Sequence, residues 1–280
     1  MGVRIVLDST VNVKKELENR FSVVPLMVNF GTESYVDNVD IDNDEFYRLL
    51  AKSKVLPTTS QPTPDAFSKV FEEAVNAGDE VVVITISSLL SGTYQSANIA
   101  AADFEGKVFV VDSYTVTIGA GILAEIAIQL ADSGKSAAEI AAELENKKQQ
   151  VRVFAVLDTL EYLKKGGRIS ATAAFAGGLL NFKPIIAIKD GEVKFVTKGR
   201  GNKQANEFMN REVLKNEQIN REMPMLLGYT GEDSTRMMEY IKENEKMVGR
   251  TGTDIAYTQI GSVVGTHAGP GAVAIAYFAK

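Results

Sequence analysis

EVVVITISSLLSGTYQSANIAAA, residues 80–102, reads as a strand, a polar turn and a helix in succession. Val81, Val82, Val83, Ile84 and Ile86 form an unbroken β-branched run, the pattern of a strand covered on both faces, which in turn implies a parallel sheet. The run stops at Ser87-Ser88, crosses Ser91-Gly92-Thr93 and continues into a stretch of helical character through Ala97, Ile99 and Ala100. Hydroxyls and unpaired N–H groups therefore gather at a helix N-terminus, a place that attracts a carboxylate or phosphate. Serine is also a common N-cap, and Ser91 fits that plainer role equally well.

Working outward, the same alternation recurs. Arg4 to Leu7 is a strand ending on Asp8-Ser9-Thr10, which could cap a helical stretch through Leu17; Lys107 to Asp112 is another strand, and Ile118 to Leu130 an apolar helix rich in small residues. Val23 to Phe30 reads as a strand interrupted at Pro25, and Asp42 to Leu50 as a short helix with no evident chemistry. Pro57 to Pro64 reads as a turn in which prolines exclude regular structure, followed by a helix over 65–77. Val151 to Leu157 resembles the last strand of this half, and Asp158 to Lys165 a short helix stopped by Gly166-Gly167. From Pro184 the texture changes. Pro184 to Lys189, a turn at Asp190-Gly191 and Val193 to Thr197 signal a hairpin, and helices then alternate with strands at 225–229, 254–260 and 272–278. The expectation is an α/β fold: an N-terminal parallel, doubly wound α/β domain over 1–160 and a C-terminal α+β domain with an antiparallel sheet over 161–280, with part of 60–80 a candidate to join the second.

Bulk properties narrow the function. At 280 residues with 45% apolar and 24% charged residues the chain can bury a large core, which excludes a mainly disordered or fibrous protein. A net charge of −6 offers no footprint for nucleic acid. There is no cysteine and one histidine, so disulfides, thiol nucleophiles and the usual zinc sets are excluded, and neither a metal nor a cofactor is expected. The N-terminus enters a strand at once without a signal-peptide pattern, and no run of about 18 apolar residues occurs, so no membrane segment is expected and the cytoplasm is the default location.

Two catalytic readings remain to be weighed. Gly119-Ala120-Gly121-Ile122-Leu123-Ala124 matches G-x-G-x-x-A and raises a nucleotide-dependent oxidoreductase, but its glycines lie several residues past the strand end and close helix packing also explains them. His267 with Ser91 or Ser9 and with Asp8 or Asp112 could compose a hydrolase trio, although no G-x-S-x-G elbow is present. No P-loop occurs. His267 stands in Gly261-Ser-Val-Val-Gly-Thr-His-Ala-Gly-Pro-Gly271, read as a loop with four glycines between two apolar strands. Arg168 follows a helix C-terminus, and Ala171 to Phe182 could line a pocket near the junction of the two halves.

Taken together and in order, Asp8-Ser9-Thr10, Thr58 to Pro62, Ser87-Ser88, Ser91 to Ala97, Val111-Asp112-Ser113, Leu157 to Ser170, Lys183-Pro184 and Gly265 to Gly271 resemble the motifs of the DegV family, bacterial fatty-acid-binding proteins that serve as the lipid-carrying subunit of fatty acid kinase. The resemblance spans nearly the whole chain. It implies an acyl ligand in a tunnel between two domains, its carboxylate held by Thr59, Ser91, the Gly92 N–H and His267, with Arg168 serving the phosphorylated head group and Ala171 to Gly178 and Ala120 to Ala127 as tunnel wall. It also implies a separate kinase subunit as partner, the chain acting as carrier and not as a catalyst by itself.

Overall fold

The computed structural model describes residues 2–170, 181–215, 219–248 and 255–280. In chain order the strands are β1 (Val3–Asp8), β2 (Ser22–Val24), β3 (Met27–Phe30), β4 (Glu33–Val36), β5 (Thr58–Ser60), β6 (Glu80–Thr85), β7 (Val108–Asp112), β8 (Val151–Val156), β9 (Phe182–Lys189), β10 (Glu192–Arg200), β11 (Met225–Tyr229), β12 (Tyr257–Gln259) and β13 (Val273–Phe278). The helices are α1 (Asn43–Lys52), α2 (Pro64–Asn76), α3 (Thr93–Ala101), α4 (Ile118–Asp132), α5 (Ala137–Lys147), α6 (Glu161–Lys165), α7 (Gly201–Lys215), α8 (Thr235–Val248) and α9 (Ser262–Ala268).

Strands β2-β1-β6-β7 form an all-parallel sheet, and the β-branched run divides its side chains as period two requires. Val81 and Val83 pack with Phe67 and Phe71 of α2 and with Ala97 and Ala100 of α3, whereas Val82 and Ile84 face the cluster that contains α4. Helix α2 thus belongs with the first sheet, and the 60–80 stretch does not join the second.

The second sheet runs β10-β9-β8-β13-β11-β12 and is antiparallel except for the β11–β12 pair. Here β8 corrects the sequence reading, because it lies at the centre of this sheet between β9 and β13, whereas a division at 160 assigns it to the first half. Its apolar run resembles that of a parallel strand for a simple reason. Val153 and Ala155 face α4 while Val156 faces Ala205, Met209 and Tyr240 of α7 and α8, so both faces are dry.

Helix α4 is the slab between the two sheets and contacts β1, β6, β8, β11 and β13. Its glycines exist for that proximity: a Cβ on Gly121 would lie 2.0 Å from the Asn12 carbonyl oxygen, and one on Gly119 2.6 Å from a Val153 methyl. A third, three-stranded antiparallel sheet, β4-β3-β5, forms a small lobe with α1. Its core of Leu26, Val28, Ile41, Phe46, Tyr47 and Leu50 closes on Val263 of α9. Thr58 to Ser60 is therefore a strand, not the irregular turn its flanking prolines suggested, since those prolines lie outside the three paired residues.

Candidate functional site

The parallel strands β1 and β6 end side by side, and Asp8 joins the loops that follow them. Its carboxylate accepts from the Ile86 N–H at 2.7 Å, from the Thr10 N–H at 2.9 Å and from the Thr10 hydroxyl at 2.5 Å. Asp8 does not cap the turn at 15–20, whose preceding residue is Lys14. Burial raises the Asp8 pKa to about 6, against the lowering by those three hydrogen bonds and with repulsion from Asp37 adding to the rise.

The Ser91 turn follows. Ser91 Oγ accepts from the Thr93 N–H at 3.3 Å, while Gly92 occupies the N-cap position of α3. Gln61 ties this turn to the β5 strand, donating from Nε2 to Ser96 Oγ at 3.0 Å and lying so close over Gly92 that a Cβ there would meet its Oε1 at 2.1 Å. A side chain at position 92 would have to push that amide aside.

His267 lies in α9, a helix where the sequence suggested a loop. Three of the four glycines account for this: Gly261 precedes the first turn, Gly265 lets the helix meet Phe46 and Tyr47, and Gly269 ends it at φ +72° while donating to the Gly265 carbonyl. His267 Nε2 stands 2.9 Å from Thr59 Oγ1. Its Nδ1 is buried with no hydrogen-bond partner among the described residues. Burial, and secondarily the Arg168 guanidinium, lowers the imidazole pKa to about 4, so the ring is neutral at pH 7. Arg168 is held at the same place by donating to the Leu90 carbonyl at 3.2 Å and the Gly166 carbonyl at 2.5 Å.

These groups meet at a pocket of about 860 Å³, counting the space open at its mouth. Its walls are apolar: Ile86 and Leu90 from the first sheet's loops, Val153, Ala155, Ile186 and Ala274 from the second sheet, Val263 and Val264 from α9. Thr59, Ser91, Arg168 and His267 all line it, whereas Gly92 sits behind Ser91 and does not. Thr59, Arg168 and His267 also line a more polar chamber with Lys54, Tyr162 and Lys165, so these three mark the boundary between the greasy space and the polar one. The other lining hydroxyls also have partners: that of Thr10 donates to Asp8, that of Thr117 to Asn12 Oδ1 at 2.7 Å, and Ser91 Oγ lies 2.9 Å from Thr93 Oγ1. Chemically, this is an apolar chamber ending on hydroxyls, a neutral imidazole and a guanidinium, which suits one anionic group on a long apolar tail.

The hydrolase trio does not assemble. Asp8 is spent on Ile86 and Thr10, Asp112 accepts from the Ser88 and Tyr114 N–H groups, and no carboxylate reaches His267 Nδ1 among the described residues. The G-x-G-x-x-A segment is likewise closed to a pyrophosphate, because Asn12 and Val153 fill the space its glycines open. For the same reason Ala120 to Ala127 are core between the sheets and not pocket wall. Ala171 to Gly178 lie outside the described residues. No metal-ligand cluster occurs among the described residues, and none of their helices is long and apolar enough to cross a membrane. Sequence reasoning overlooked the anchoring roles of Asp8, which holds Thr10 and Ile86 of the pocket wall, and of Gln61, which packs over Gly92 beside Ser91.

Comparison with known proteins bears on this geometry. Residues 2–280 match the family model described as "Uncharacterised protein, DegV family". A DegV domain-containing protein of Caldanaerobacter subterraneus is 37% identical, with 99% of each chain covered. Among solved structures, a DegV family protein from Thermus thermophilus, described by its fatty acid binding, superposes with a TM-score of 0.87 at 31% identity over 100% of both chains. A stearic acid-binding protein from Eubacterium ventriosum superposes with a TM-score of 0.85 at 31% identity, covering 99% of this chain and 98% of that one.

Proposed function

The chain belongs to the DegV family, and on that premise we propose that it binds a long-chain fatty acid in the pocket between its sheets. The carboxylate rests against Thr59, Ser91 and His267, without the Gly92 N–H, which does not line the pocket, and the acyl tail runs over Val153, Ala155 and Ala274. The observation that carries this reading is the 2.9 Å Thr59–His267 pair at the boundary of an otherwise apolar pocket. It is supported by the fatty acids bound to the similar proteins from Thermus thermophilus and Eubacterium ventriosum.

Energetics favour such a ligand. At about 0.8 kcal/mol per buried CH₂, roughly fourteen methylenes contribute on the order of 10 kcal/mol before the cost of immobilising the chain. Hydroxyl donors and an imidazole N–H offset the desolvation of the carboxylate, which an apolar pocket alone would reject. We further propose that the protein works in the cytoplasm as the carrier subunit of a fatty acid kinase. It presents the carboxylate to a separate catalytic subunit and carries the acyl phosphate away, with Arg168 serving the phosphorylated head group from the polar side of the boundary.

Denaturing extraction of the purified protein followed by mass spectrometry tests the first step. A stoichiometric fatty acid is expected, and a protein that neither contains nor takes up one overturns the proposal. Phosphorylation of the bound acid by a fatty acid kinase subunit and ATP tests the second.

A further inference from the structure

Helix α9 has only seven residues, too few to hold its own position, so what surrounds it decides where His267 points. Its N-cap residue, Gly261, supplies no side-chain cap. The first turn is held from another part of the fold instead: the Ser262 hydroxyl donates to Asp37 Oδ1 at 2.5 Å. Asp37 follows β4, is 1% exposed, and has an Oδ2 with no partner among the described residues. Its own N–H donates to the Leu26 carbonyl at 3.0 Å, and the Leu26 N–H donates to Ser9 Oγ at 3.0 Å, so this residue is rooted just ahead of β3 and in the loop after β1. Beside it the Tyr47 hydroxyl donates to the Ile260 carbonyl at 2.7 Å, just ahead of the helix. The lobe of β3 to β5 and α1 therefore supplies Thr59 and, through Asp37, holds the helix that carries the residue Thr59 touches.

We propose that Asp37 is a positioning residue for the lipid head-group site, anchoring the first turn of α9 so that His267 Nε2 meets Thr59 Oγ1. This rests on the reading of that pair as the carboxylate's end of the pocket. Desolvation, the largest influence, raises the Asp37 pKa, with the Ser262 and Ser9 hydroxyls and the Asn38 N–H opposing it. Asp8 is a second buried carboxylate close enough to repel it. A buried acid in such company costs stability, and what it supplies in return is an acceptor for the first turn of a helix that has no side-chain cap of its own.

With one histidine in the chain, the imidazole ¹⁵N resonances report on α9 alone. Arg168 is the charge that acts on this ring, and the phenols of Tyr162 and Tyr47 flank α9. In the full-length protein, Ser262→Ala and Asp37→Ala are expected to move the imidazole titration from about 4 upward by about one unit as the ring gains water. Both are expected to weaken hexadecanoic acid about tenfold, the loss of one well-placed hydrogen bond, while hexadecan-1-ol binds as to the parent. The double variant is expected to be no worse than the worse single one, and Asp37→Asn, which keeps an acceptor for Ser262, to recover most of the loss. The proposal is overturned if Ser262→Ala leaves both the titration and the acid-to-alcohol ratio at parental values, or if acid and alcohol weaken equally. Should the parent bind neither lipid, the functional reading fails, and the imidazole titration still decides the role of Asp37.

Discussion

Two glycine-bearing apolar stretches, 118–124 and 261–271, look alike as strings and end up with opposite duties. Both form helices, and in both the glycines remove side chains where another element approaches. In α4 the approach is complete on every side: Asn12, Thr115 and Val153 occupy what the glycines vacate, and ten of the fifteen residues are buried. In α9 the glycine at 265 is filled by Phe46 and Tyr47, but the side facing the pocket is left open, and His267 stands on it. A glycine motif therefore signals close packing first. It points to a site only where one face of the element borders a void and carries a polar group.

The sharpest way to break this contrast is to restore side chains to the packed helix. Gly121→Ala sets a methyl against a backbone carbonyl that cannot swing aside, and is expected to cost about 3 kcal/mol in urea denaturation. A loss under 1 kcal/mol would mean that α4 has slack the packing denies.

A comparably large effect should appear in the pH dependence of stability, where His267 and Asp8 oppose each other. His267 falls from 6.5 unfolded to about 4 folded, so its contribution is present above pH 6.5 and is lost as pH falls through 4. Asp8 rises from 3.8 unfolded to about 6 folded, so its contribution is full below 3.8 and is lost as pH rises through 6. Over the shared window the two largely cancel. His267→Gln removes one side of the balance, and the stability of the parent relative to this variant is expected to drop by about 2–3 kcal/mol between pH 7 and pH 4, read by denaturation at the two pH values. A constant difference would show that the ring is not held neutral in the folded protein.

Smaller effects separate the pocket's head from its walls. Thr59→Ala, Ser91→Ala and His267→Ala are each expected to weaken fatty-acid retention by about 1–3 kcal/mol, measured by displacement of a fluorescent acyl probe. Arg168→Ala is expected to lower phosphorylation of the bound acid by the kinase subunit more than it lowers binding. Were all four to bind and be phosphorylated like the parent, the site would lie elsewhere in the pocket.

Much of this was legible before any coordinates. The run at 81–86 announced a strand dry on both faces, and α2 and α3 on one face and α4 on the other share its side chains out as period two demands. Thr59, Ser91, Arg168 and His267, spread over more than 200 residues, do meet at one pocket. What failed to read correctly failed for identifiable reasons. Val151 to Leu157 looked like a parallel strand because a central strand covered on both faces has the same composition in either kind of sheet. The 261–271 segment looked like a loop because glycines that serve packing and those that serve turns are spelled alike. Asp37 was passed over because it acts through Ser262, on an element more than 200 residues away.

Sequence alone settled what local and additive physics can settle: which segments extend and which coil, how much apolar surface must be hidden, and which chemistries lack the residues they require. Tertiary structure decided which neighbour each pocket hydroxyl meets, which glycines face a void and which are filled, and which way the single imidazole points. Those outcomes depend on distances between residues far apart in the chain, and the strength of a hydrogen bond or of a desolvation cost changes within an ångström.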